Sequence, residues 1–396
     1  MITKNEKGSF NMNKFIKSFI TSLMIGIPIV IVVCGFLYMN KDSSNLKTER
    51  EESVQINSFP DDSVDSLNLE VDQVTSEDIS VVVESPEKKS SATLSFAGDV
   101  HFSELIVQNY DKDGISALVD EEMLSHMQKS DFFMLNHEFV FSLRGEAMAD
   151  KKYTLRNDPK YVKILQELGT DGVTIANNHI LDFGQNAFLD TLDTLQNAEI
   201  SYAGGGRNLE EASAPIIRNI NGHSIAIFAA TRVSPTYDWY ASSGRPGIFQ
   251  TYDSKKLNQA ISEAESQYDH IIVYVHWGIE RNEKPEEYQR TLAKEYIDSG
   301  ADLVIGAHPH VLQGFEYYKG VPIIYSLGNF LFSNRTGETL LLNAVFDEND
   351  QLEVQLIPCE RVDGVLERIK EPKHLFDHLT ELSYGAAISE NGILLQ

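Results

Sequence analysis

ADLVIGAHPHVLQG, residues 301–314, carries an apolar run straight into two histidines that flank a proline. The apolar run predicts a buried strand, and His308 and His310 follow at the point where that strand would end. Pro309 restricts the backbone between them and thereby fixes the relation of the two rings. Two interpretations are open: a turn that is rich in histidine, or part of a metal site whose other ligands lie elsewhere in the chain.

Four other apolar runs end in side chains of the same kind. ATLSFAG leads into Asp99 and His101, DFFML into Asn136 and Glu138, GVTIA into NNHILDFG at residues 177–184, and HIIVYV into His276. Each cluster taken alone is compatible with a polar turn or a core histidine. Because open α/β sheets place their sites at the carboxyl ends of strands, we expect the five loops to converge on one edge.

Apolar runs alternate with amphipathic stretches from residue 92 to residue 396, which predicts an α/β domain. Residues 186–198 and 285–300 carry apolar side chains at helical spacing and predict helices that face a core. The formal charge of −26 argues against a nucleic-acid partner, because phosphate binding needs clustered lysine and arginine. Cys34 and Cys359 form no motif and imply no disulfide framework.

The N-terminal part predicts a membrane anchor. Residues 18–39 are 22 residues without a charge, long enough to cross a bilayer. Four lysines precede them, so the positive-inside rule places residues 1–17 in the cytoplasm and the chain after the span outside the cell. The expected protein is therefore a single-pass protein of the cell membrane. A cleaved signal peptide is the alternative, but no small-residue cleavage site follows the span. Residues 40–91 hold 13 acidic and five basic residues and predict a disordered linker.

The side chains at the strand ends have the chemistry of a metal centre. A mixture of carboxylate, imidazole and amide suits Mn²⁺, Fe²⁺ or Zn²⁺ better than Ca²⁺ or Mg²⁺. The set is too large for one tetrahedral ion and fits two ions about 3.5–4 Å apart that share a bridging carboxylate. An imidazole outside the metal shell would be placed to protonate a leaving group.

These motifs resemble a known family. AGDVHFS, NHEFVFS, TIANNHILDFG, VHWGIE and GAHPHVLQGFEYYKGVPIIYSLGNF occur in the order and approximate spacing of the CapA-type poly-γ-glutamate (capsule) synthesis proteins. That family consists of membrane-anchored bacterial proteins with a calcineurin-like metallophosphoesterase fold. The resemblance covers residues 92 to about 360. It implies a four-layer α/β/β/α sandwich with the site at the strand ends, and partners among the membrane proteins that make and export the polymer.

The resemblance also implies roles for individual residues. One ion would be held by Asp99, His101 and His310, and the other by Asn178, His276 and His308. Glu138 would occupy the bridging place, where metallophosphoesterases normally have an aspartate. His179 would stand in the place of the general acid, with Asp182 orienting its ring.

Two further residues have two interpretations each, and a third is expected outside the site. Asn329, in SLGNF, faces substrate or forms a tight turn. Arg232 holds a phosphate or carboxylate bidentately, or is a surface charge. His137 alternates with Asn136 and Glu138 along an extended chain, so its ring is expected on the opposite face, away from the site.

Three functional hypotheses follow. The first is a membrane-anchored component of poly-γ-glutamate or related surface-polymer assembly, with a two-metal site of phosphoesterase type. The second is an extracytoplasmic metal-dependent phosphoesterase with an unrelated substrate. The third is a non-catalytic structural or export partner with a weak metal site, in which the glutamate bridge has lowered metal affinity. The residues leave open whether the protein is an enzyme; if it is, a metal-dependent hydrolase is expected.

Overall fold

A computed structural model describes residues 89–332, 337–362 and 364–396. The predicted cytoplasmic segment 1–17, the predicted span 18–39 and nearly all of the predicted linker 40–91 lie outside these residues. Within the described part of the chain, no helix is both long and apolar enough to cross a membrane.

The described residues form an α/β structure, as the alternating pattern predicts. The α-helices in chain order are α1 Glu104–Asp113, α2 Glu121–Lys129, α3 Val162–Glu167, α4 Gly184–Asn197, α5 Leu209–Ser213, α6 Lys255–Glu265, α7 Glu287–Asp298 and α8 Lys373–Leu382. The helices predicted at 186–198 and 285–300 are thus confirmed as α4 and α7.

The strands in chain order are β1 Ala92–Val100, β2 Phe132–His137, β3 Val140–Phe141, β4 Arg156–Asn157, β5 Gly172–Thr174, β6 Ser201–Ala203, β7 Gly205–Gly206, β8 Ile216–Ile220, β9 His223–Thr231, β10 Gly247–Ile248, β11 His270–His276, β12 Leu303–Ala307, β13 Phe315–Tyr318, β14 Val321–Ile324, β15 Asn329–Leu331, β16 Glu338–Phe346, β17 Leu352–Val362, β18 Val365–Arg368, β19 Ala387–Ile388 and β20 Leu394–Leu395.

Two large sheets contain most of these strands. The first runs in the order β18-β17-β16-β1-β2-β5-β6, with β15 also paired to β1. The second runs in the order β13-β14-β12-β11-β9-β8. Parallel pairing joins β1 to β2, β2 to β5, β9 to β11 and β11 to β12, so the carboxyl ends of these strands share an edge within each sheet. The five ligand-bearing runs are therefore divided between two sheets.

Alternation along the strands gives each sheet two apolar faces. Phe132 and Met134 of β2 belong to a core that also contains Ile272 and Tyr274 of β11, so this core lies between the two sheets. The hydroxyl of Tyr274 donates to the carbonyl oxygen of Ala97 at 2.5 Å and joins the sheets directly.

The opposite faces of the sheets are covered by helices. Phe133 and Leu135 of β2 pack in a second core with side chains of α2, α3 and α4. Ile271 and Val273 of β11 pack in a third core with side chains of α6 and α7. All seven residues of β11 are buried because both of its faces are covered, which explains its unbroken apolar run.

Candidate metal centre

The carboxyl ends of strands from both sheets bring the predicted ligands together. Asp99 is the penultimate residue of β1 and is in register with Asn136 of β2. His276 is the last residue of β11 and is in register with Ala307, which immediately precedes His308. The first sheet therefore contributes mainly oxygen ligands and the second sheet contributes imidazoles.

The loop after β12 is held in an unusual backbone conformation. His308 has a backbone φ of 97° and His310 a backbone φ of 57°, values that residues other than glycine rarely adopt. The backbone N–H of His308 donates to the Asp99 carboxylate, at 3.1 Å from Oδ2 and 3.3 Å from Oδ1. Asp99 thus holds the loop that presents both histidines.

Asp99 and Glu138 are fully buried, which is costly for two carboxylates in one place. The side-chain amide of Asn136 lies between them, with Nδ2 at 2.7 Å from Asp99 Oδ1 and 3.4 Å from Glu138 Oε2. Burial and the neighbouring charge of Asp99 raise the pKa of Glu138 well above its ordinary value. Burial alone would raise the pKa of Asp99 too, but the hydrogen bond and charge of His310 hold it below its ordinary value.

The potential ligand atoms fall into two groups that share Glu138. One group joins Glu138 to His308 and His310, and the other joins it to Asp99 and His276, with all ligand atoms of a group within 4.8 Å of one another. Glu138 Oε1 lies 3.5 Å from His276 Nε2 and 4.0 Å from His310 Nε2. A carboxylate common to both groups is what a bridging ligand requires.

Within the described part of the chain, two buried polar atoms in these groups lack a partner that a cation would supply. Glu138 Oε1 and His308 Nδ1 are buried and have no hydrogen-bond partner among the described residues. Burial lowers the pKa of His308 to about 3 and that of His276 well below its ordinary value, so both rings are neutral and offer a lone pair. The residues present fit divalent ions on these observations.

The grouping of ligands differs in part from the one that the resemblance implies. His308 and His310 share a group, although the resemblance assigns them to different ions. Other contacts agree with that assignment: Asn178 Oδ1 lies 2.7 Å from His276 Nε2, and His310 Nδ1 lies 3.2 Å from Asp99 Oδ2. Which residues hold which ion stays a prediction.

His101 lies beside the ligand groups without belonging to either. Its ring contacts Phe139 and Phe332, with centroids 5.9 and 5.5 Å apart. Burial lowers the pKa of His101 to about 4, although a hydrogen bond with the Phe332 backbone acts to raise that pKa. His137, as expected, faces away and packs on Phe139 and Phe141 with ring centroids 3.9 and 4.8 Å apart.

His179 and Asp182 are in direct contact. His179 Nδ1 lies 2.7 Å from Asp182 Oδ2, and because a carboxylate only accepts, Nδ1 carries the proton and donates it. Asp182 is fully buried, and it also accepts from the backbone N–H of Leu155 at 2.8 Å. Burial lowers the pKa of His179. Nε2 is therefore the nitrogen available for proton transfer, and the predicted catalytic role of the pair stays a prediction.

Two residues of the site were missed in the sequence. Lys151 donates from Nζ to Asp182 and to the carbonyl oxygen of Asn178, and it lies 3.2 Å from His179 Nδ1. It follows no apolar run, so no strand-end signal marks it. Asn136 was visible at a strand end but was not assigned as a site residue, although its amide contacts Asp99, Glu138 and His276.

The cavity next to the centre has a volume of about 760 Å³, and its lining includes His179, His310 and Asn329. Asn329 Oδ1 accepts from His310 Nδ1 at 2.8 Å, so this side chain positions a predicted ligand. Arg232 is not among the lining residues; its guanidinium lies over the rings of Tyr252 and Tyr288 at 4.2 and 5.3 Å. The substrate-binding roles of Asn329 and Arg232 stay predictions.

Comparison with known proteins adds a family match. Residues 93–334 match the family model described as "Bacterial capsule synthesis protein PGA_cap". The chain is 30% identical over 285 residues to the capsule biosynthesis protein CapA of Bacillus anthracis, covering 69% of this chain and 68% of that one. It is also 30% identical over 309 residues to the PGA biosynthesis protein CapA of Bacillus subtilis (strain 168), covering 76% and 80%.

Among solved structures, the chain is similar to a phosphatase from Mycoplasma pneumoniae. The identity is 15% and the TM-score 0.45, with 69% of this chain and 95% of that one covered.

Proposed function

Because the chain belongs to the bacterial capsule synthesis family PGA_cap, as its motifs predicted, we propose that it acts in the synthesis or export of poly-γ-glutamate or a related surface polymer. The match spans the segment that contains all of the candidate metal ligands, from Asp99 to His310. The relatives named for capsule and PGA biosynthesis support the polymer class.

The proposal includes a cell-membrane location with a single span at residues 18–39. The 22 uncharged residues and the lysines before them support an N-terminus in the cytoplasm and a domain outside the cell. In that place the domain would meet the membrane proteins that polymerise and export the polymer, which are the partners proposed here.

We further propose a dinuclear centre of Mn²⁺, Fe²⁺ or Zn²⁺, held by Asp99, His101, Glu138, Asn178, His276, His308 and His310. The observation that carries it is the buried Glu138 carboxylate, which belongs to both ligand groups and leaves Oε1 without a hydrogen-bond partner among the described residues. Two such ions supply Lewis-acid activation of a phosphoryl oxygen and of water. The packing of helices outside two apposed sheets supports the four-layer metallophosphoesterase type of sandwich.

The protein's own side chains would then position substrate and move a proton. Asp182 holds one proton of His179 on Nδ1, so the imidazolium form, with a second proton on Nε2, would give that proton to a leaving group and return to the neutral ring. Asn329 fixes the ring of His310 at the cavity wall. The open cavity admits a substrate next to His179, so cleavage of a phosphoester or related bond is the reaction that this arrangement supports best.

A phosphoesterase with a substrate other than the polymer is the second candidate. The contact between His179 and Asp182 favours it over a purely structural role, because a buried carboxylate that orients an imidazole at a cavity is a typical proton-transfer arrangement.

The test uses the full chain purified in detergent. We expect at least two divalent ions per chain by elemental mass spectrometry and hydrolysis of at least one member of a phosphoester panel. In a host that makes the polymer, loss of the gene should abolish surface polymer, and Glu138→Gln should fail to restore it. Metal-free protein without turnover would refute the enzyme hypotheses, and full restoration by Glu138→Gln would refute a metal-dependent role.

A further inference from the structure

A second histidine–carboxylate cluster lies at the opposite end of the second sheet. His223 is the first residue of β9 and His270 is the first residue of β11, its parallel neighbour. Asp350 reaches them from the turn between β16 and β17 of the first sheet. His276, at the other end of β11, is six residues or about 20 Å from His270, so the cluster is separate from the centre described above.

Three atoms of this cluster are equally spaced. His223 Nδ1 is 3.2 Å from His270 Nε2 and 3.1 Å from Asp350 Oδ1, and His270 Nε2 is 3.3 Å from the same Oδ1. Around a tetrahedral ion with bonds of about 2.0–2.1 Å, ligand atoms are about 3.3–3.4 Å apart. The three atoms therefore have nearly the spacing of one face of a zinc coordination tetrahedron.

The tautomer of His223 leaves a lone pair facing this cluster. Its Nε2 is 3.0 Å from the carbonyl oxygen of Ser90, which only accepts, so Nε2 carries a proton and the lone pair of a neutral ring is on Nδ1. In that form Nδ1 faces Asp350 Oδ1 as acceptor to acceptor at 3.1 Å. A metal-bound histidine typically donates its other N–H to a backbone carbonyl in this way, and a cation resolves the facing lone pairs.

The surroundings are those of a half-open site. Both imidazoles are buried, and the ring of Phe346 stacks on His270 with centroids 3.7 Å apart. The Asp350 side chain is 44% exposed, so an ion has a path from solvent and water can fill a fourth position. Lys89 Nζ lies 2.8 Å from Asp350 Oδ1 and 2.9 Å from Asp269, and it balances the carboxylate charge when no ion is present.

We propose that His223 Nδ1, His270 Nε2 and Asp350 Oδ1 form a second, structural metal site for Zn²⁺ or an ion of similar coordination, with water as the fourth ligand. The ion joins the β16–β17 turn of the first sheet to the first residues of β9 and β11 in the second sheet. Lys89 leaves Asp350 Oδ1 when the ion binds and keeps its contact with Asp269. The proposal does not depend on the function of the centre at the other end.

Metal counting with a matched pair of variants tests the site. Full-length protein in detergent is stripped with a chelator and titrated with ZnCl₂, and bound zinc is counted after desalting. Asp350→Asn and His270→Gln should each bind one ion fewer than wild type, or bind that ion at least about tenfold more weakly. Glu348→Gln, an exposed acid in the same turn, should bind as wild type.

Two further readouts keep the test decisive if a histidine variant folds poorly. Co²⁺ added to wild type should give the visible absorption of a tetrahedral ion, and Asp350→Asn should lack part of it. Lys89→Met should bind zinc more tightly than wild type, because a competing cation is removed. Equal zinc stoichiometry and affinity in wild type, Asp350→Asn and Lys89→Met would overturn the proposal.

Discussion

At the His276 end of β11, two carboxylates are fully buried and one of their oxygens has no hydrogen-bond partner in the described residues. At the His270 end, the single carboxylate of Asp350 is 44% exposed and already contacts Lys89. The residue types at the two ends are alike, but the first end holds two carboxylates in a desolvated site, where the pKa of Glu138 is raised well above its ordinary value. The second end pairs its carboxylate with Lys89 near the surface. The first end therefore depends much more strongly on bound cations.

The largest expected contrast comes from removing one carboxylate charge at each end. Glu138→Gln should lower phosphoester turnover at least about 100-fold, because it removes a ligand common to both groups. Loss of a direct metal ligand should lower activity at least as much as loss of a residue that only hydrogen-bonds to a ligand. Asp350→Asn should leave turnover unchanged. Turnover and metal content are measured together, with the exposed Glu348→Gln as the control. Near-normal turnover in Glu138→Gln would contradict the stronger dependence of the His276 end on bound cations.

A second substitution separates proton transfer from metal binding at the His276 end. His179→Ala should lower turnover by about 10²–10⁴-fold while the metal content stays at the wild-type level. His374→Ala removes an exposed imidazole and serves as the control. If His179→Ala loses its metal together with its activity, His179 is a ligand and the general-acid role is wrong.

The lysines at the two ends should differ in their effect on stability. Lys151→Met leaves Asp182 buried without its cation and should lower the free energy of unfolding by about 3 kcal/mol. Lys89→Met breaks a part-exposed pair and should cost less than about 1 kcal/mol in metal-free protein. Urea unfolding measures both, with exposed Lys152→Met as the neighbouring control. Equal losses for Lys151→Met and Lys89→Met would contradict the difference in burial.

The smallest expected effect is a pH dependence beside the His270 end. Burial raises the pKa of Asp302 to about 6, although its Oδ2 accepts from the backbone N–H of Ile271 at 2.8 Å. Since the pKa in the unfolded chain is about 3.9, the contribution of Asp302 to stability is complete below pH 4 and is lost as pH rises through 6.

Asp302→Asn keeps an acceptor and cannot ionise. From pH 4 to pH 7.5 the variant should gain about 1–2 kcal/mol in unfolding free energy relative to wild type, less than the full shift because Asp302 is partly exposed. Asp302→Ala should show the same pH slope with a constant loss, because it lacks the acceptor. A difference that does not change with pH would show that Asp302 titrates normally in the folded protein.

Local patterns in the sequence predicted much of this architecture. The apolar runs before Asp99, His276 and His308 are strands, and the two amphipathic segments are α4 and α7, because burial imposes a period on the chain itself. The division of the ligand-bearing strands between two sheets has no local pattern. It followed only from the resemblance, since sheet pairing joins residues far apart in sequence, as in Asp99 with Asn136.

Two features were not predicted from the sequence, each for its own reason. Lys151 lies in a loop, and its role depends on contacts with Asn178 and Asp182 that no local period encodes. The cluster of His223, His270 and Asp350 was not predicted because its histidines begin strands, whereas the strand-end pattern marks only residues that follow an apolar run. Its third member comes from the other sheet, about 80 residues beyond His270.

The left-handed backbone of His308 and His310 determines how much of this site must be grafted onto another protein scaffold for the two rings to keep their positions. Each such residue costs on the order of 1–2 kcal/mol, and glycine, which would relieve that cost, has no ligand atom. The conformation is held from outside the loop, by the Asp99 carboxylate on the His308 N–H and by Asn329 on the His310 ring. A designer who grafts His-Pro-His alone onto another scaffold would obtain a relaxed turn with diverging rings. The smallest segment set that keeps the geometry is the loop together with Asp99 from the end of β1 and Asn329 from the start of β15.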